Sequence, residues 1–247
     1  MSTIVQKLTQ LEQDRNNLVD NLTTMGIKGL TGDETFTELV PKVLEISSSS
    51  SDYQEVEWIQ SDGNQTIDTG IYPVDGTSSE IAEYKISFDP LNSSVRNYEQ
   101  YFAGNRDTSY YTPKIFCRSS EIVISPFVYG GSDTVIGTFG NGKIDLEVSV
   151  TNGIVVNNVQ VATYSGGRWG PSSSNMSFYI FNSHSEPDLK SSMRLYSLKM
   201  YTNSLMVRDF VPCYKKSDGE IGLLDKVSGL FFKNIGTGIF TKGPDVN

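Results

Sequence analysis

The sequence predicts a mainly β chain. A two-sheet antiparallel jelly-roll sandwich over residues 53–247 is preceded by an N-terminal α-helical, coiled-coil-like segment over 1–46, with a serine linker over 47–52 between them. Three observations carry this. The apolar period changes from roughly 3.5 residues to roughly 2 near Tyr53. Turn-forming pairs then recur at short spacing. The composition, with 13 Tyr, 12 Phe and 22 Gly, suits strands and tight turns.

In the first segment, Ile4, Leu8, Leu11, Leu18, Leu22 and Met25 follow one another in steps of four and three once Arg15 fills the missing slot. Such a repeat keeps one seam facing a partner helix. Gln6, Lys7, Gln10, Glu12, Gln13, Asp14, Asn16 and Asn17 fill the intervening positions, so the expectation is a homo-oligomer, with a trimer favoured. A helix packing on its own domain is the alternative. Gly26 and Gly29 end the helix. Thr35-Phe36-Thr37-Glu38 reads as a capping box that opens a short second helix with a stripe of Phe36, Leu39, Val40, Val43 and Leu44, interrupted by Pro41. Ser47 to Ser51 form a flexible tether.

From Tyr53 onward, about fourteen strands are expected. The clearest are Lys114–Cys117, Ile122–Val128, Ile144–Val150, Gly153–Val156, Val159–Tyr164, Leu195–Tyr201, Leu205–Pro212 and Ile221–Leu224. Val56–Ile59, Thr66–Ile71 and Ile81–Phe88 precede them. Asn152-Gly153 and Asn157-Asn158 make 143–164 a three-stranded meander. In 195–201, alternation places Leu195 with Ser197, Lys199 and Tyr201, and Tyr196 with Leu198 and Met200. The glycines at 219, 222, 229, 236 and 238 are expected in turns of positive φ. A domain of this size with short antiparallel strands fits two packed sheets.

Composition excludes several functions. The formal charge is −9, from 20 basic and 29 acidic residues, and nucleic-acid binding needs clustered positive charge. No apolar run reaches ~18 residues, so no membrane span is expected. The N-terminus lacks a basic region followed by an apolar stretch, so export by a signal peptide is not expected. His184, the single histidine, lies in a polar loop without a nucleophile elbow. Cys117 and Cys213 read as buried thiols, a bridge being the alternative. No phosphate loop is present. Neither a cofactor nor a metal is expected; Asp107 and Asp133 are acidic loop residues, but no cluster has Ca²⁺-site spacing.

Two stretches carry a family likeness. One is Glu57-Trp58-Ile59-Gln60-Ser61-Asp62-Gly63-Asn64-Gln65-Thr66-Ile67-Asp68-Thr69-Gly70. The other runs from Arg194-Leu195-Tyr196-Ser197-Leu198-Lys199 through Arg208-Asp209-Phe210-Val211-Pro212-Cys213 and Gly219-Glu220-Ile221-Gly222-Leu223-Leu224-Asp225 to Gly236-Thr237-Gly238-Ile239-Phe240. The domain resembles the concanavalin A-like, laminin-G-like jelly-roll modules of bacteriophage structural proteins and gut-bacterial surface proteins. The first 46 residues resemble N-terminal helical segments of phage fibre and appendage proteins. The likeness implies a virion structural protein, made in the host cytoplasm and carried on the virion surface, that binds capsid or tail proteins and host-surface glycans.

Lys143-Ile144-Asp145-Leu146-Glu147 resembles the Glu-Ile-Asp-then-Glu strand of laminarinase-type glucanases, which carry their catalytic carboxylates on one face. Lys143 stands where the first Glu belongs, and an ammonium cannot be a glycosyl nucleophile. A non-enzymatic role is therefore expected, Lys143, Asp145 and Glu147 lying on the wet side of a strand. Sugar binding needs aromatic faces with planar polar groups beside them. Tyr110, Tyr111, Arg168 and Trp169, in loop-like surroundings, are the candidates. A fibre or capsid decoration that displays a lectin-like domain for adhesion is the leading expectation. A decoration protein without ligand, and a carbohydrate-active enzyme or accessory module, are the alternatives.

Overall fold

The computed structural model describes residues 4–24, 30–39, 52–71, 83–91, 100–104, 114–118, 120–125, 133–140, 142–149, 152–163, 177–181, 192–202 and 204–246. The chain is mainly β, with large antiparallel sheets, and divides into two compact units, Met1–Tyr53 and Gln54–Asn247. The serines at 47–51 lie outside the described residues.

The first unit holds α1 (Ile4–Thr24). It has no acidic residue in its first turn and no basic one in its last, so side-chain charge does not complement its dipole. Packing supports it instead. Val19 and Leu22 bury against Leu39, with Leu18 and Leu30 alongside. A compact turn precedes Leu39: the Glu34 carboxylate accepts from the Thr31 hydroxyl and the Gly32 N–H, both at 3.0 Å. The capping box forms as read. Thr35 N–H donates to Glu38 Oε2 at 2.8 Å, Glu38 N–H returns to Thr35 Oγ1 at 3.4 Å, and a helical turn covers 36–39.

The expected seam is therefore divided. Ile4, Leu8 and Leu11 are 78, 56 and 52% exposed, whereas Leu22 is 1% exposed. Along the seam, an open N-terminal half is followed by a C-terminal half covered by the chain's own next segment. An intramolecular contact forms there at the modest cost of closing a short loop, without the loss of free translation that a second molecule would bear. Val19, off the seam, joins the same cluster. Met25 lies outside the described residues.

The second unit is built from β1 (Tyr53–Glu55), β2 (Ile59–Asp62), β3 (Ile67–Asp68), β4 (Glu83–Pro90), β5 (Gln100–Gly104), β6 (Lys114–Arg118), β7 (Glu121–Ser125), β8 (Thr134–Thr138), β9 (Ile144–Ser149), β10 (Gly153–Val156), β11 (Val159–Ala162), β12 (Tyr179–Ile180), β13 (Ser192–Thr202), β14 (Leu205–Lys215), β15 (Ile221–Asp225), β16 (Phe231–Lys233) and β17 (Thr241–Lys242). The larger sheet runs β11-β10-β9-β4-β13-β14-β15-β16, with β2 beside β13, β17 beside β2, and β1 beside β14. The smaller runs β3-β12-β5-β6-β7-β8. Their facing sides share one core: Ile86, Phe88, Leu146, Leu198 and Phe210 from the larger sheet, and Ile115, Ile122, Ile124 and Ile136 from the smaller.

The expected meander forms, with Gly153 opposite Ser149 and Val156 opposite Val159. Asn157 and Asn158 take φ of 48° and 65°, the left-handed conformation that Asn tolerates and this hairpin turn needs. Elsewhere the sequence expectations need correction. β5 and β8 arise where no strand was expected. The chain does not run as one strand over 56–59: it leaves β1, makes an isolated bridge from Val56 to Asp245, and begins β2 at Ile59. Gly222 needs no positive φ; it sits in β15 because a Cβ there would meet the Phe232 carbonyl and the Phe231 ring. Cys117 and Cys213 are buried and form no disulfide, and burial pushes the Cys213 thiol up to about 12.

The quoted stretches supply polar anchors. Gln65, 1% exposed, accepts from Ser61 Oγ at 2.9 Å and Asp62 N–H at 3.0 Å, and donates to the Ile239 carbonyl at 3.0 Å. Asp225, fully buried, accepts from the Asp209 and Val227 N–H groups at 2.9 and 3.1 Å and from the Ser228 hydroxyl at 2.6 Å. Arg208 Nε lies 3.5 Å from it. Buried polar atoms held this fully stabilise the fold; unpaired, each would cost about 1–3 kcal/mol.

β13 departs from simple alternation. Its register against β4 shifts between Leu195 and Ser197, and against β14 between Met200 and Tyr201. An extra residue in one strand changes which face the following side chains take. Leu195 is therefore buried and Tyr196 half-exposed, the reverse of the expected parity. Ser197, Lys199 and Tyr201 keep the wet face.

Candidate functional site

The residues proposed from sequence for sugar contact, Tyr110, Tyr111, Arg168 and Trp169, lie outside the described residues, as do His184 and Asp107. A concavity among the described residues lies elsewhere, on the side of the larger sheet turned away from the core. It is an open groove of about 330 Å³ lined from β4, β9 and β13 by Lys85, Ser87, Asp145, Glu147, Ser197 and Tyr201, together with Lys199 and Asn158.

Strand alternation builds it. Ile144, Leu146 and Val148 point into the core, so Asp145 and Glu147 point out. On β4, Ile86 and Phe88 are buried and Lys85 and Ser87 face the groove. Glu147 and Lys199 stand directly across from Lys85 on its two neighbours, and Asp145 and Ser197 stand across from Ser87. The bulges in β13 lie at either end of its groove-lining run, where such irregularities re-aim side chains. Asn158 comes from the β10–β11 turn, which is tied to β9 because Asp145 N–H donates to Asn157 Oδ1 at 2.9 Å.

The polar groups are matched across strands. Lys85 Nζ donates to Glu147 Oε2 at 3.0 Å and lies 3.4 Å from Glu83. The Glu147 hydrogen bond, outweighing partial burial, raises the Lys85 ammonium above its ordinary value, so it stays a cation. Ser87 Oγ donates to Asp145 Oδ1 at 2.6 Å, and Lys143 Nζ lies 3.4 Å from the same oxygen. Lys199 lies 3.7 Å from Asp209. Lys85 Nζ also sits 5.9 Å from the Tyr201 ring centroid. The expected placement of Lys143, Asp145 and Glu147 on the wet side is what the strand shows. Both carboxylates are occupied by a lysine or a hydroxyl, a charge ladder whose exposed pairs each contribute about 0.2–1 kcal/mol.

Sequence reasoning placed Asp145 and Glu147 on the wet side but did not find their partners Lys85 and Ser87, nor Ser197 across from Ser87. The one available signal was the wet-side alternation of 83–88 and 195–201. What it lacked was that these two strands neighbour each other and that β9 joins them.

Among the described residues, no group of three or more His, Cys, Asp or Glu side chains gathers as a metal-ligand set, and no helix is long and apolar enough to cross a membrane. In comparison with known proteins, no family model matches the chain and no curated protein matches it in sequence.

Proposed function

We propose that this chain is a non-enzymatic appendage of a virus particle, a phage fibre or decoration protein, whose concanavalin A-like jelly roll adheres to host-surface glycans on the virion exterior. The observation that carries the adhesive part is the groove on the open sheet face. It sets one half-exposed ring, Tyr201, beside paired ammonium, carboxylate and hydroxyl groups. A sugar hydroxyl both donates and accepts, so a lining that sets acceptors (Asp145, Glu147) beside donors (Lys85, Ser197) suits a polyol, and an aromatic face suits its C–H side. The virion assignment rests on the resemblance of residues 57–70 and 194–240 to phage modules.

The reading is non-catalytic because Lys143 occupies the place of a nucleophile and both carboxylates of β9 are engaged by neighbouring side chains. In the N-terminal unit, the open stripe of Ile4, Leu8 and Leu11 is the part left for a coiled-coil partner, a trimer of this chain, or for a capsid or tail protein. Linked heads multiply weak single-site binding. The internal pairing of Glu147 and Asp145 favours a second reading, a decoration protein with no ligand. A glycan array probed with the full chain separates the two. Adhesion predicts reproducible binding that Tyr201→Ala abolishes; an array blank for the wild-type chain supports the ligand-free decoration.

A further inference from the structure

The groove is one station on a longer wet track along β13. Beyond Ser197 in the direction of the N-terminal end of that strand, the bulge presents Tyr196, half-exposed, with Lys143 Nζ 5.1 Å from its ring centroid. Lys143 in turn faces Asp145 of the groove at 3.4 Å, so the two stations adjoin. Next comes Arg194. Its guanidinium lies over the Trp58 ring at 4.5 Å, and its Nε donates to Gln60 Oε1 at 2.9 Å. Trp58 is itself backed by Gly243, where a Cβ would collide with the indole at 2.7 Å. The guanidinium is thus held between the indole and the Gln60 amide. A guanidinium fixed in this way is a planar donor fork, pre-organised at low entropic cost. Opposite it in register stands Asp89, a half-buried acceptor.

Tyr201 and Arg194 lie seven steps apart along β13, about 24 Å at roughly 3.4 Å per residue. The charges along this line nearly balance, Glu83 beside Lys85 being one carboxylate in excess. Lys85 faces Glu147, Lys143 faces Asp145, Lys199 faces Asp209, and Arg194 stands opposite Asp89. A charged polymer would meet repulsion at every second position, whereas an uncharged polyol finds a donor and an acceptor at each. We infer that the site takes a linear, neutral polysaccharide lying along β13, with Tyr201, Tyr196 and the Trp58-backed Arg194 as successive stations beneath it. This inference rests on the adhesive reading of the groove and specifies its ligand.

The test uses the full chain and an array carrying linear neutral gluco-, xylo- and N-acetylgluco-oligosaccharides in homologous series from disaccharide to octasaccharide, beside uronic-acid and sulfated series. The track predicts affinity that rises with length, with the hexasaccharide bound at least about tenfold better than the disaccharide, a difference of about 1.4 kcal/mol. Tyr196→Ala and Arg194→Ala remove that gain, lowering hexasaccharide affinity by about tenfold or more. Tyr196→Phe, which keeps the ring, retains it and controls for folding of the bulge. Equal affinity for disaccharide and hexasaccharide would overturn the track yet leave a one-station adhesin standing. Preference for the uronic-acid or sulfated series would overturn the neutral assignment. An array blank at every length would remove the adhesive reading itself, and the track with it.

Discussion

The two units of this chain solve the problem of burying apolar surface at very different scales. The helical unit closes over Val19, Leu22 and Leu39. The β unit draws its core from both sheets, including Phe88, Leu198 and Phe210. Fully burying a Val or Leu side chain contributes roughly 1.5–3 kcal/mol, so three of them offset only a small part of the roughly 1–2 kcal/mol per residue lost in ordering a backbone. The helical unit leans instead on local turn chemistry at Glu34 and Glu38. The β unit has packing to spare, and that is what lets it carry a polar groove and exposed aromatics on its outer face without losing the fold.

The largest blow to this contrast comes from the β core. Phe88 is fully buried on the inward face of β4, and Phe88→Ala should cost about 3–5 kcal/mol. Urea unfolding followed by near-UV circular dichroism should show the unfolding free energy fall by that amount, the midpoint dropping in proportion, with the helical signal persisting. Leu22→Ala should remove roughly 2–5 kcal/mol, more than the small helical unit can lose. Far-UV circular dichroism should then report loss of α1 at low urea, while the β transition stays where it was. If the two transitions moved together in either variant, the units would form one cooperative body and the contrast would fail.

How much could be read from the sequence follows the same division. Periodicity is local, so the mainly β class, the 144–162 meander and the Thr35–Glu38 cap were legible from neighbouring residues alone. The division of the helical seam was not, because it depends on Leu30 and Leu39 returning to α1 through a turn set by Glu34, and nothing in the heptad pattern reports that return. The groove was half legible. Alternation placed Asp145 and Glu147 on the wet side, but their partners Lys85 and Ser87 lie some sixty positions earlier ( |i−j| of 62 and 58), and pairing at that separation leaves no local trace. The bulge at Tyr196 inverted a parity that a strict period of two would impose. β5 and β8 escaped notice because Gln100–Gly104 and Thr134–Thr138 carry Gly and polar residues in place of a clear alternation.

Smaller effects sharpen the contrast. Glu147→Gln removes the carboxylate facing Lys85 on an open surface where the two side chains are 45 and 38% exposed. Screening by water limits the loss to about 0.2–1 kcal/mol, so the melting temperature of the β unit should barely move. A fall of several kcal/mol would show that the ladder supports the fold, and would weaken its reading as a ligand-facing surface.

The finest discrimination is by acid. The N–H of Thr31, foremost, and those of Glu34 itself and Gly32, together with the Thr31 hydroxyl, hold the Glu34 carboxyl down from an ordinary 4.5 to about 2. A depressed carboxyl contributes stability that is fully present above its unfolded value and is lost as pH falls through its folded one. The turn that precedes Leu39 should therefore weaken between pH 4.5 and about 2, and the α1 signal should decline over that window. Glu34→Gln cannot titrate, so its helical signal should start lower at neutral pH and fall less across the same range, although Glu38, also held low by Thr35, still contributes. Superimposable acid profiles for wild type and Glu34→Gln would mean that the turn does not govern the packing of Leu39 on Leu22, and that the small helical core stands on its apolar contacts alone.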